Sequence, residues 1–201
     1  MNSMDAKEVA HESLYGDGQP GGVYMNVTRY MTDADRTAGG VFHDDLVTPS
    51  MLIDAIAEVS ISAKHVDKIK KALFYGKQDE DLAFTRQLKA DETYGEVDIN
   101  LIHAILGIYT EAAELLEILD VALRNKDTDM SYEELGQFEN DLINEAGDTM
   151  WYQALLFKYL GTNFEEVGNL NIAKLRKRFP VKFTEDLAVN RDEAKENVVF
   201  E

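Results

Sequence analysis

Glu111 and Glu114 stand three positions apart, as do Glu145 and Asp148, and both pairs interrupt rows of apolar or small residues. On an α-helix that spacing brings two side chains to one face. The row through Glu111 and Glu114 also holds Ala104, Gly107 and Ile118, and no Lys or Arg lies between Leu101 and Leu123 to neutralise it. The second pair breaks into a stripe that reads Leu135, Phe138, Leu142, Glu145, Thr149, Tyr152, Leu156, Tyr159, with a glutamate where a leucine belongs. A buried, unpaired carboxylate is costly, so each such group must protonate, pair or bind a cation. Two pairs on facing helices offer hard oxygen ligands that suit Mg²⁺ or Mn²⁺ better than Zn²⁺.

Twelve acids and two bases lie between Leu101 and Phe157, and Glu117, Asp120, Glu133 and Glu139 read as an ordinary solvated face. On residue pattern alone two readings stay open: a metal site, or an acidic surface that binds a partner. A ferritin-like di-iron site requires Glu-x-x-His on two helices, and the one such spacing, Glu8 to His11, falls outside the helical part. His65 and His103 read as ordinary helix residues, and Trp151 and Tyr152 as core aromatics before base-stacking platforms.

The elements that must position these groups are helices. Thr48-Pro49 reads as an N-cap followed by proline at the first helical position, opening a helix to Tyr75 before Gly76. A shorter helix is predicted over Asp81 to Lys89. The next runs from Asp98 to Arg124, with apolar residues at Leu101, Ile105, Ile108, Ala112, Leu115, Leu119 and Ala122. Ser131-x-x-Glu134 is a capping box for a helix to Leu160, before Gly161. Thr162-x-x-Glu165 predicts another, ending before Pro180. Residues 1–24, with the glycine-rich run Tyr15 to Val23, read as a loose arm, a second loop surrounds Gly39 and Gly40, and residues 25–201 form one domain. Strand patterns are missing, so the expected fold is all-α, a four-helix-type bundle. The stretch Leu52 to Ile69 also aligns without gaps on Leu101 to Ile118, which suggests a duplicated helix.

The composition narrows the partners. With 20 Lys+Arg against 38 Asp+Glu, the 201-residue chain carries a net charge of −18, which argues against nucleic acid or an anionic membrane. No cysteine is present, which excludes disulfides, thiolate zinc sites and cysteine nucleophiles. No apolar run approaches about 18 residues, and the N-terminus lacks a signal pattern, so a cytoplasmic protein is expected. An anionic substrate then needs metal ions or a local group of cations. Lys174, Arg176, Lys177, Arg178 and Lys182 form such a group, and Lys70, Lys71 and Lys77 with Tyr75 form a second. Bases at a helix C-terminus also suit the macrodipole, with no ligand involved.

Glu111-Ala-Ala-Glu114 followed by Glu145-Ala-Gly-Asp148-Thr-Met-Trp151-Tyr152 is similar to the paired E-x-x-E and E-x-x-D motifs of MazG-like nucleotide pyrophosphohydrolases. The surroundings His103 to Glu117 resemble those of the first motif. Asn171 to Glu196 resembles the N-x-x-K-L-x-x-R segment and N-R-D tail of phage and bacterial members, and Lys68 to Lys77 another recurrent stretch. In that family K-K-x-x-F-Y-G-K follows the E-x-x-E helix, whereas here it precedes it. The first helix copy carries Ser62 and His65 where the second has Glu111 and Glu114, yet it keeps the lysines. One family helix is thus divided between two copies.

The resemblance implies an all-α NTP pyrophosphohydrolase bundle with an extra helix copy. It implies Mg²⁺-dependent (or Mn²⁺-dependent) conversion of a (d)NTP to the monophosphate and pyrophosphate, and assembly as a homodimer or higher homo-oligomer. Glu111, Glu114, Glu145 and Asp148 become the metal-binding and catalytic residues. Asn171, Lys174 and Arg178, with Lys70, Lys71 and Tyr75, become the substrate contacts. The alternative from another class is a non-catalytic acidic helical bundle that binds a protein or mimics nucleic acid.

Overall fold

A computed structural model describes residues 27–38, 45–88, 94–126 and 128–190. Among these the chain is all-α, with no strand: α1 Val27–Asp35, α2 Pro49–Tyr75, α3 Glu80–Leu88, α4 Ile99–Arg124, α5 Tyr132–Leu160, α6 Phe164–Arg178 and α7 Glu185–Val189. The N-terminal arm, the loop at Gly39 and Gly40, Lys89 and the N-R-D tail beyond Asn190 lie outside the described residues.

Local chemistry sets most helix ends. Thr48 caps α2, its hydroxyl accepting from Met51 N, and Pro49 follows at the first helical position. Asp98 caps α4 by accepting from Asn100 N at 2.7 Å. At α5 the Ser131 hydroxyl accepts from Glu134 N while the Glu134 carboxylate accepts from Ser131 N, which completes the capping box. Gly76 and Gly161 close α2 and α5 in left-handed conformation, with φ of 67° and 71°. The start of α6 is a correction to the sequence reading. Asn163 rather than Thr162 is the N-cap, accepting from Glu166 N at 2.9 Å, while the Thr162 hydroxyl donates to the Glu166 carboxylate. Asparagine outranks threonine as a cap, so the helix start shifts by one residue.

The three long helices form the scaffold, with α4 packed on both α2 and α5. Lys64 pairs with Glu117, Lys70 with Glu111, and Phe74 stacks on His103, so α2 and α4 run antiparallel. Contacts from His103 to Tyr152 and a carboxylate group joining Glu111 to Glu145 give α4 and α5 the same relation. The buried face of α4 is Ala104, Gly107, Thr110, Glu111 and Ala113. That face differs from the expected apolar stripe, in which Ile105 stays 52% and Leu119 37% exposed. Small side chains let both neighbouring backbones close on α4, and the larger ones remain on the side that neither α2 nor α5 covers. By length and composition alone α4 is apolar enough to cross a bilayer. The same composition suits a helix clasped by two others, and Glu111, Glu114, Glu117 and Asp120 stand along it.

The sequence reading contained no α1 and no α7. α1 packs on α6. Its seat is polar: the Arg36 guanidinium donates to the carbonyls of Phe179 and Val181, and Arg176 pairs with Asp33 at 2.7 Å.

Candidate active site

Antiparallel packing sets the two acidic pairs opposite each other. Glu111 on α4 and Glu145 and Asp148 on α5 each present one carboxylate oxygen within 4.8 Å of the others. Their approach depends on Gly107, one turn before Glu111. A Cβ added there would lie 2.0 Å from a ring carbon of Tyr152, so only glycine lets the tyrosine lie against the α4 backbone. Tyr152 is buried, and its hydroxyl meets that of Tyr75 at 3.2 Å.

Glu114 stands beside this group. Its carboxyl is pushed up to about 7, first by partial burial and then by the charges of Glu111 and Glu145, with which it is also hydrogen-bonded in the case of Glu145. Burial, then Glu111 and Asp148, also raise Glu145 above the ordinary carboxylate value. Both shifts have one origin: too many like charges in too little water.

A single cation answers them from α2. Lys70 is only 3% exposed. Its ammonium donates to the Thr110 hydroxyl at 2.7 Å and to Glu111 Oε1 at 2.9 Å, with Asp67 Oδ1 at 3.4 Å. It lies 5.1 Å from the ring centroid of Tyr152, a cation–π distance. Burial works against the charged form, but the hydrogen bond and charge of Glu111 outweigh it and hold the ammonium above the usual lysine range. The Thr110 hydroxyl has the Gly107 carbonyl and Glu111 Oε1 within reach of its one proton, at 3.0 and 3.1 Å.

An aromatic group fills the adjoining turn. His103 stacks on Phe74 with centroids 3.9 Å apart and meets Tyr75, Trp151 and Tyr152 edge to face. Burial, and then the Lys70 charge, lower its pKa, so the imidazole is neutral at pH 7. His103 Nε2 is buried with no hydrogen-bond partner, consistent with ring edges on ring faces rather than a ligand position.

The sequence-predicted residues thus divide. Glu111, Glu114, Glu145 and Asp148 come together, and Lys70 and Tyr75 adjoin them. Lys70 points its charge inward to Glu111, and Tyr75 bonds Tyr152. Lys71 pairs with Asp67. Asn171, Lys174 and Arg178 lie on α6, which packs on α1 and meets the end of α5 where Phe164 contacts Phe157. Lys77 lines a separate cavity of about 780 Å³ between the end of α2 and α3, with Ile69, Leu73, Leu82 and Arg86. Asp67 and Thr110 are additions. Asp67 contributes to raising Glu114 and has a buried Oδ1 without a hydrogen bond. Its i, i+4 spacing to Lys71 resembles an ordinary surface pair, and that hid it in the sequence.

The donor set fits a hard divalent cation. Three carboxylate oxygens within 4.8 Å approach the ~4.2 Å that separates ligands across one Mg²⁺ ion. Burial and mutual repulsion keep two of the carboxyls above their ordinary range, and such a charge would relieve the repulsion. No protein-family model matches the chain, and neither the curated proteins nor the solved structures contain a match.

Proposed function

We propose that the protein is a metal-dependent nucleoside triphosphate pyrophosphohydrolase of the MazG-like, all-α kind. The observation that carries this reading is the convergence of Glu111, Glu145 and Asp148 beside Glu114. Mg²⁺, or Mn²⁺ in its place, held by Glu111, Glu145 and Asp148, would supply charge to the triphosphate oxygens and the departing pyrophosphate. A water oxygen attacks the α-phosphorus, the bond from that phosphorus to the bridging oxygen breaks, and monophosphate and pyrophosphate result. Glu114, beside the three carboxylates that would hold the ion and hydrogen-bonded to Glu145, is the residue we assign to take the water's proton. Asn171, Lys174, Arg178 and Lys71 remain the proposed substrate contacts, by resemblance.

The proposed assembly is a homodimer in the cytoplasm. The uncovered α4 face, Leu101, Ile105, Tyr109, Ala112 and Leu119, carries no charge in a chain of net −18, so two copies can meet there without repulsion. Such pairing would cover the α4 face of each three-helix layer with that of the other.

The charge itself supports a second reading, a non-catalytic acidic bundle that binds a protein. Thermal melting separates the two. The enzyme reading expects millimolar Mg²⁺ to raise the melting temperature and chelator to reverse it. An acidic surface gives no more response to Mg²⁺ than to matched ionic strength.

A further inference from the structure

Among the described residues Lys70 is the one buried cation beside these carboxylates, and its surroundings are complete without a substrate. Its ammonium reaches Thr110, Glu111 and Asp67, with the Tyr152 ring alongside. A phosphate could touch it only by displacing one of these oxygens. The lysine comes from α2 and the glutamate from α4, so the pair also fastens the two helices at the level of the site.

We infer that Lys70 is a tethered counter-cation: it positions Glu111, and its charge competes with the divalent ion for the same carboxylates. This rests on the metal-dependent reading above. Without an ion, Glu111 would be a nearly buried carboxylate facing Glu114, Glu145 and Asp148, and the ammonium offsets that repulsion. When an ion binds, the ammonium stays, because burial and three oxygen neighbours leave it no route to solvent. Lys70 therefore holds metal affinity below what the carboxylates alone would give. Binding free energies couple reciprocally, so a charge that repels the ion must also be repelled by it.

The test uses the full chain and Mn²⁺ alone, with no nucleotide. Lys70→Met keeps the length and packing of the side chain and removes the charge, whereas Lys70→Arg keeps the charge. Calorimetry or manganese electron paramagnetic resonance should show Lys70→Met binding Mn²⁺ about tenfold tighter or more, and Lys70→Arg close to wild type. The rise in melting temperature on adding Mn²⁺ should be larger for Lys70→Met than for wild type. If Lys70→Met unfolds without metal, millimolar Mn²⁺ should restore a cooperative transition. Equal or weaker binding by Lys70→Met, or no rescue, overturns the competition while leaving the metal site standing. No Mn²⁺ binding by wild type or variant removes both the metal reading and this one.

Discussion

Gly107 and Tyr152 meet backbone to ring, with no room for a methyl group between them. The contact sets how closely α4 and α5 approach, and hence whether Glu111 can meet Glu145 and Asp148 one turn away. Gly107→Ala therefore poses a conflict of magnitudes. Alanine gains about 1 kcal/mol of helix propensity. Forcing a methyl into a filled contact costs about 1–3 kcal/mol or more. A Cβ at 2.0 Å from a ring carbon puts this site at the severe end. Urea unfolding should show net destabilisation, and Mn²⁺ binding should weaken with it.

The pH dependence of the apo protein follows from Glu114, whose folded pKa is raised from 4.5 to about 7. Below 4.5 the group is neutral in both states and carries no penalty. Between 4.5 and 7 the folded protein keeps the proton that the unfolded chain releases, so stability falls as pH rises. Above 7 the penalty is complete. Melting temperature in chelator should decline across that window, and Glu114→Gln should flatten the decline. A wild-type profile matching that of the variant would show that Glu114 is not strained.

Lys70 and Lys71 are neighbours in sequence with different physical fates. Lys70→Ala leaves a nearly buried carboxylate unpaired and should cost about 3–5 kcal/mol. Lys71, 40% exposed in its side chain and paired with Asp67 within one helix, should cost about 1 kcal/mol or less. Denaturant midpoints measured without metal give the comparison directly. If Lys71 binds triphosphate, Lys71→Ala should raise KM more than it lowers kcat.

What the sequence revealed and what it concealed follow from the range of the interactions. The ends of α2, α4 and α5 were readable because Thr48, Asp98, Ser131 and the two terminal glycines act within one turn. The acidic pairs were readable because charges interrupted apolar stripes. α1 was not, since its anchors, Arg36 to the carbonyls of Phe179 and Val181, span more than 140 residues of chain. The covered face of α4 was misjudged because periodicity marks where apolar residues lie. Closeness of packing instead chose the small residues Ala104, Gly107 and Ala113. Nor could the sequence tell that Lys70 turns inward to Glu111 while Lys71 pairs along its own helix with Asp67.

The open face of α4 bears on assembly. Ile105→Glu with Leu119→Glu would place like charges against each other in a symmetric pair. Light scattering at micromolar concentration should show a wild-type dimer and a monomeric double variant. A wild-type monomer would contradict the proposed pairing.

The central claim concerns which bond is cleaved and what cleaves it. Phosphorus NMR of a panel of ribo- and deoxyribonucleoside triphosphates, incubated with the protein and Mg²⁺, reads both. The account predicts monophosphate and pyrophosphate in equal amounts from at least one triphosphate, loss of the reaction in chelator, and its loss in Glu114→Gln and Asp148→Asn. Orthophosphate as the first product, turnover in chelator, or no turnover of any triphosphate by the folded, metal-bound protein would contradict it.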